Sequence, residues 1–377
     1  MTKSYYALHR IQKGVNNICY CNERETMKEH TLTTHAKQRI NWVDISKGIA
    51  ILSVLLGHTV CPAWLHAYIY SFHMPLFFIL SGYTLSFSNN GTFRTFITRK
   101  AKALLAPYIC FAPLIVLFNL CVNFFKFGIT AFEWKNTLIS VFFQRHLSDH
   151  KFELWFLISL FSAELVLYFL YFLTKRLNSS YWLPLISGVV MLSGFLYWHF
   201  CGIPLVWNFD VTLIAVGFIG FGYLLRILKE PLEKANTWPM ILLLCAVHLL
   251  FTVLNNDAVN MYENKYGNIL FFLLAATAGS LFFIFFSQKI RENNLLQMIG
   301  KHSLILYCLH TMLYTVLSVA SRLFFSFDFD LVLTNHGDMA AFGVCILITL
   351  LETAILLPIA YAIERWCPFI IGRSKLK

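Results

Sequence analysis

Residues Asp44–His58, DISKGIAILSVLLGH, decide the fold of this chain. After a charged start the stretch is almost entirely apolar, and further apolar runs of about 20 residues follow it, the length that crosses a bilayer. The stretch therefore predicts a membrane-spanning helix, although Lys47 and His58 give it a cation and an imidazole. Ionisable residues inside a span are costly and commonly mark a functional site.

The composition supports a membrane protein. Hydrophobic residues make up 58% of the 377 residues, charged residues only 13%, and the mean hydropathy is +0.63. A soluble domain carries about 25% charged residues, so the composition predicts an all-α, polytopic helical bundle. The net charge of +11 does not indicate a nucleic-acid partner, because the basic residues lie in short segments between apolar runs, as in cytoplasmic loops.

Ten spans are predicted, forming one domain over residues 41–372 between a disordered cytoplasmic tail (1–40) and a short cytoplasmic tail (373–377). Alternate loops are rich in lysine and arginine, which predicts that both termini are cytoplasmic. The predicted spans are 42–63, 67–87, 103–124, 154–174, 181–200, 209–226, 238–255, 268–287, 302–324 and 339–362.

Lys47 and His58 share one face of the first predicted helix. Their separation of eleven positions turns a helix by about 1,100°, roughly 20° beyond three full turns, with a rise of about 16 Å. Asp44 falls within about 40° of the same face. We expect a cation near the cytoplasmic end and an imidazole deeper in the outer half of the span; snorkelling of Lys47 to the interface is the alternative.

The second predicted span brings another histidine to a similar depth. His73 lies about as far from the outer end of its span as His58 does, so the two imidazoles can face each other. Pro75 predicts a kink, and Ser81-Gly82 provides a small, close-packing face. We expect His73 and Ser81 to line a cavity beside the first span.

Other polar residues lie within or at the ends of spans. Helix-packing hydrogen bonds are the expected role of the mid-span residues His248, His310, Glu164 and Glu352. Three further residues lie at the outer ends of the fourth and sixth spans: Glu153, Trp155 and Asp210. Interfacial anchoring is the alternative for Trp155.

The loop after the second span carries the densest basic stretch, with Arg94, Arg99, Lys100 and Lys102. Control of membrane topology is one interpretation of this loop. The other is a phosphate-binding mouth, because guanidinium and ammonium groups pair with phosphate oxygens.

Five segments occur in order along the chain: WVDISKGIAILSVLLGH, FHMPLFFILSGY, RKAKALLAPY, LWFLISLF and GKHSLILYCLH. Together they resemble the acyltransferase-3 family of integral membrane acyltransferases, and within it the fucose 4-O-acetylase-like branch. The resemblance covers about Ile40 to Gly372.

The resemblance implies a bacterial inner-membrane enzyme that moves an acyl group, usually acetyl, from cytoplasmic acyl-CoA to a hydroxyl of a sugar or envelope polysaccharide precursor. The family's arginine and histidine on the first span fall on Lys47 and His58, so lysine replaces the bidentate arginine. Its basic residues after the second span fall on Arg99 and Lys102, which implies binding of the CoA phosphates. No metal is expected.

On this hypothesis His58 accepts the proton of the acceptor hydroxyl, a role that suits histidine near neutral pH, or is transiently acylated. Lys47 and Asp44 organise the donor end of the same helix face. The candidates for the outer acceptor site are Glu153, Trp155 and Asp210, because carboxylates and an aromatic face suit sugars. A transporter or flippase for a glycan precursor is the alternative function, and a scaffold with an inactive site is a third. The sequence leaves open the acceptor, the choice between acetyl and succinyl, and the oligomeric state.

Overall fold

The structure is a computed structural model that describes residues 39–87, 92–127, 141–143 and 153–373. Within these ranges the chain is helical and contains no β-strand, which confirms the predicted all-α polytopic class. The predicted tail at 1–40 falls, up to residue 38, outside the described residues, and so does the predicted C-terminal tail after residue 373.

The described ranges contain thirteen α-helices: α1 (Asn41–Gly57), α2 (Ala63–Thr84), α3 (Phe93–Lys100), α4 (Ala106–Phe127), α5 (Trp155–Thr174), α6 (Trp182–Cys201), α7 (Phe209–Ile227), α8 (Lys229–Ala235), α9 (Trp238–Asn255), α10 (Ile269–Ile290), α11 (Asn294–Lys301), α12 (Ser303–Phe325) and α13 (Val332–Trp366). A π-helical turn, Ala101–Leu105, joins α3 to α4. A 3₁₀ turn, Pro368–Ile371, follows α13.

Nine helical segments of the described chain are long and apolar enough to cross a membrane. They correspond to the second through tenth predicted spans. The third begins earlier than predicted, at Phe93, because α3 and the π-helical turn continue into α4. The first predicted span corresponds to α1, a helix of 17 residues at the lower end of spanning lengths.

The first span is shorter than predicted. It was expected to run to residue 63, but α1 ends at Gly57, and residues 58–62 form a turn and a loop. Pro62 lacks a backbone N–H and disfavours helical backbone at the residue before it, which explains why the helix is not continued. His58 therefore lies at the end of the helix, where it is exposed, and not deep within a continuous span as expected.

Close backbone packing fixes α2 against α7. A side chain at Gly82 would collide with the carbonyl oxygen of Ile219, and one at Gly222 would collide with that of Ile79. Glycine at these two positions allows the helices to approach closely, as in small-residue interfaces of membrane helices. This contact holds the helix that carries His73 and Ser81.

Candidate active site

One cavity of about 200 Å³ gathers the histidines of three helical segments. We call it the His58 cavity; it is lined by His58, His73, His310, Glu153, Trp155 and Tyr307, among others. Four of these, His58, His73, Glu153 and Trp155, are residues that the sequence analysis proposed for a site. The structure thus brings part of the predicted site together.

His58 faces a second imidazole across this cavity. The ring centroids of His58 and His310 lie 4.8 Å apart in an edge-to-face arrangement, and the ring of Tyr70 lies 6.2 Å from that of His58. The backbone N–H of His58 donates to the carbonyl of Val54 at 3.1 Å, so the turn after α1 retains helical bonding. The side chain is therefore carried on ordered backbone at the cavity wall.

Backbone hydrogen bonds fix the tautomers of the two buried histidines. Nδ1 of His310 lies 2.7 Å from the carbonyl of Tyr307, and Nδ1 of His73 lies 2.7 Å from that of Ile69. A carbonyl can only accept, so in each ring Nδ1 carries the hydrogen and Nε2 of the neutral ring is an acceptor. Within the described chain, Nε2 of His310 is buried without a hydrogen-bond partner, which leaves a proton-accepting nitrogen beside His58.

Another part of the lining of the His58 cavity comes from Glu153, just before α5, from Trp155 at the start of α5, and from the loop between α9 and α10. Burial raises the pKa of Glu153 to about 7, partly offset by a hydrogen bond from Thr311. The ring of Trp155 lies 5.8 Å from that of Tyr262, and Asn260 also lines the cavity. An aromatic face, an amide and a carboxyl group suit a ligand with several hydroxyl groups.

A second cavity, of about 260 Å³, lies along the same helices. We call it the Lys47 cavity; it is lined by Lys47, Ser81, Lys100, Met74, Leu304 and Tyr307, among others. Ser81 therefore lies in a different cavity from His73. The two residues are eight positions apart on α2, a rise of about 12 Å, which accounts for the separation.

A third cavity, of about 330 Å³, is strongly basic. We call it the Arg99 cavity; its charged lining residues are Arg99, Lys102, Lys301, Arg373 and Glu364. Glu364 contacts two neighbours, with Oε1 2.8 Å from a guanidinium nitrogen of Arg373 and 3.3 Å from Nδ1 of His302. The excess of cations suits an anionic ligand such as a phosphate.

The three cavities adjoin one another. Met74 and Tyr307 line both the His58 and the Lys47 cavities, and Leu304 lines both the Lys47 and the Arg99 cavities. The hydroxyl of Tyr307 donates to the backbone carbonyl of Glu153 and accepts from the N–H of Phe156 at 3.3 Å. The side chain of Tyr307 is therefore fixed at the boundary between the His58 and Lys47 cavities. The more flexible side chain of Met74 lies at the same boundary.

Two predicted site residues lie outside the linings of these cavities. Asp210, at the start of α7, accepts hydrogen bonds from the backbone N–H of Leu205 at 3.2 Å and from the Asn264 side chain at 2.5 Å, so it ties two loops together. Asp44 is buried where α1 packs on α11, and its backbone carbonyl touches the position that a side chain at Gly300 would occupy.

Several residues of these cavities were missed from the sequence. His310 was noted as ionisable and mid-span but assigned to helix packing, and only the edge-to-face contact with His58 changes that interpretation. His248, assigned the same role, does pack in this way: its Nδ1 lies 3.0 Å from the carbonyl of Ala275. Asn260 and Arg373 come from a loop and the chain end, where no pattern in the sequence identified them.

The described residues contain no three His, Cys, Asp or Glu side chains arranged to hold a metal ion. A family model described as an acyltransferase domain matches residues 40–362, most of the chain. Comparison with curated proteins and with solved structures gives no match.

Proposed function

The chain belongs to the acyltransferase-3 family, which makes it a membrane acyltransferase, and we propose that it moves an acetyl group from acyl-CoA to a hydroxyl of a sugar or envelope polysaccharide precursor. We assign it to the fucose 4-O-acetylase-like branch and to the bacterial inner membrane, with both termini in the cytoplasm. The Arg99 cavity would then open toward the cytoplasm, where acyl-CoA is made.

The observation that carries this proposal is the series of adjoining cavities. A basic cavity suits the phosphates of the donor, a smaller one lined by lysines and a majority of apolar side chains suits its arm, and a cavity with histidines, an amide and an aromatic face suits a sugar hydroxyl. The shared residues Met74 and Tyr307 mark where donor and acceptor meet. Lys47 and His58, on one face of α1, line cavities on either side of this boundary.

In the proposed reaction, an imidazole nitrogen of His58 accepts the proton of the acceptor hydroxyl as its oxygen attacks the thioester carbonyl. The carbon–sulfur bond then breaks, and the proton returns from His58 to the departing CoA sulfur. His310 supports this step with its proton-accepting nitrogen. Arg99 and Lys102 hold the CoA phosphates, Lys47 and Asp44 organise the donor end of α1, and Trp155 and Glu153 bind the acceptor.

The test is incubation of the purified protein in nanodiscs with radiolabelled acetyl-CoA and a panel of sugars. We expect label to reach a sugar hydroxyl, and His58→Ala to lower the rate by about 10²–10⁴-fold with folding retained, because a general base contributes that much. Near-wild-type transfer by His58→Ala would exclude the role of His58. Movement of a glycan across the membrane without dependence on CoA would favour a transporter instead.

A further inference from the structure

Glu164 is a buried carboxylate inside α5 to which the proposed reaction gives no task. It is 1% exposed, and its Oε1 accepts hydrogen bonds from Nζ of Lys100 at 2.5 Å and from Oγ of Ser81 at 2.7 Å. Its Oε2 is also buried and has no hydrogen-bond partner among the described residues. Because a charge within a span is costly, this buried ion pair calls for a functional explanation.

The pair lies at the wall of the Lys47 cavity. Lys100 and Ser81 both line that cavity, whereas Glu164 lies behind them. The single O–H group of Ser81 donates to Glu164 and so fixes the carboxylate. Lys100 has three N–H donors and a side chain that is 18% exposed, so it is the member of the trio able to donate to a ligand in the cavity.

Lys100 and the residues on either side of it in the chain line two different cavities. Lys100 and Leu104 line the Lys47 cavity, whereas Arg99 and Lys102 line the Arg99 cavity. Lys102 and Leu104 lie within the π-helical turn that begins at Ala101, directly after Lys100, and such turns are frequent at functional sites. Adjacent cations of one segment thus serve different cavities.

The charge balance at Lys100 differs from that of the Arg99 cavity. Lys47 and Lys100 both line the Lys47 cavity, but the charge of Lys100 is matched by that of Glu164. This pair as a whole attracts an uncharged oxygen and offers little net attraction to a phosphate. In the Arg99 cavity, by contrast, the cations of the described lining outnumber the one carboxylate, that of Glu364. The donor's phosphates therefore suit the Arg99 cavity, and a neutral carbonyl oxygen suits Lys100.

We propose that Lys100 binds a carbonyl oxygen of the amide-containing pantetheine arm of the acyl donor, and that Glu164 and Ser81 are positioning residues that hold its ammonium group. This inference rests on the proposed function, because it requires the donor arm to lie in the Lys47 cavity. It adds an interaction that recognises the arm independently of the nucleotide.

The test compares two donors, acetyl-CoA and S-acetylpantetheine, which has the arm and its amides but no phosphate. We expect Lys100→Met to raise the KM of both donors about tenfold with kcat little changed, since a hydrogen bond from a charged group contributes about that factor. Lys102→Met should raise the KM of acetyl-CoA alone. The exposed ion pair Lys229–Glu233 provides the control, and Lys229→Met should change neither KM.

Glu164 is tested through its coupling to Lys100. Glu164→Gln should raise the KM of both donors, and the double variant Lys100→Met/Glu164→Gln should be no worse than Lys100→Met, because Glu164 acts only through Lys100. The double variant also removes both buried charges together, so it leaves neither one stranded and is expected to fold. Additive effects in the double variant would contradict a positioning role.

The outcomes separate this inference from the proposed function. An effect of Lys100→Met on acetyl-CoA but not on S-acetylpantetheine would assign Lys100 to a phosphate and overturn the inference. Unchanged KM values for both donors would overturn it as well. Absence of acetyl transfer from either donor by the wild-type protein would instead overturn the proposed function.

Discussion

The His58 cavity and the Arg99 cavity, both lined in part by α12 and its flanking residues, have opposite electrostatic characters. Among the described residues, the first is lined by imidazoles, aromatic rings and a single carboxyl group, Glu153, and the second by four cations and one carboxylate. Polar but mostly uncharged groups suit proton transfer and hydroxyl recognition, whereas fixed cations suit phosphates. Under the proposed function, this contrast would separate donor binding from chemistry, with the Lys47 cavity between the two.

After the substitution of His58, the substitution of His310 is expected to have the largest effect on the rate, and it tests the uncharged side of this contrast. We expect His310→Ala to lower kcat by about a hundredfold, because it removes the buried proton-accepting nitrogen next to His58, while the KM of acetyl-CoA changes little. The measurement is the steady-state rate per folded protein at saturating donor.

The control for His310→Ala is His248→Ala, which also removes a buried histidine but from a packing contact on Ala275, and should leave the rate per folded protein near that of the wild type. Equal losses in the two variants would mean that His310 only packs, and the His58 cavity would lose its second functional imidazole.

The cationic side of the comparison predicts a change in donor affinity. Arg99→Met and Lys102→Met should each raise the KM of acetyl-CoA about tenfold with a small effect on kcat, because charge-assisted hydrogen bonds to phosphate are lost. Arg99 also donates to the carbonyl of Ser86 at 3.2 Å, so Lys102→Met is the cleaner variant.

The matched control is Lys175→Met, which removes a cation lying 4.1 Å from the ring centre of Phe172 and should leave the KM unchanged. A fall in kcat with constant KM in Lys102→Met would place that cation in the chemical step and remove the division between the two cavities.

The class and the spans followed from apolar runs, because a bilayer demands about 20 apolar residues wherever it is crossed. The common face of Lys47 and His58 followed from helical geometry, and they line adjoining cavities. Helical periodicity says nothing, however, about neighbours far apart in sequence. The pairing of Glu164 with Lys100, and the approach of Gly372 to the backbone of Lys102, depend on packing between distant segments.

The same limit explains the errors of placement. The first span was expected to run to residue 63 because the stretch is largely apolar, but α1 ends at Gly57, and Pro62 disfavours a helix through the residues next to it. Ser81 and His73 were assigned to one cavity because they share a helix, but the walls between cavities are built by residues of other helices, such as Tyr307.

The smallest predicted effect tests Glu153, the carboxyl group that lines the His58 cavity in the part of the chain that the structure describes. Burial raises the pKa of Glu153 to about 7, so the group is largely protonated at about pH 6 and largely ionised at about pH 8. A carboxylate accepts stronger hydrogen bonds from sugar hydroxyls than a neutral acid does. Glutamine imitates the neutral acid at every pH, so Glu153→Gln isolates the contribution of the charge.

We therefore expect the ratio of kcat/KM for the acceptor, wild type over Glu153→Gln, to be near one at about pH 6 and to rise several-fold by about pH 8. The titration of the histidines is common to both proteins and cancels in this ratio. Since the folded protein binds this proton more tightly than an unfolded chain does, wild-type stability should fall as pH rises through about 7, and that of the variant should not. A ratio that stays constant with pH would mean that Glu153 does not bind the acceptor through its charge, and the His58 cavity would then recognise its ligand through uncharged groups alone.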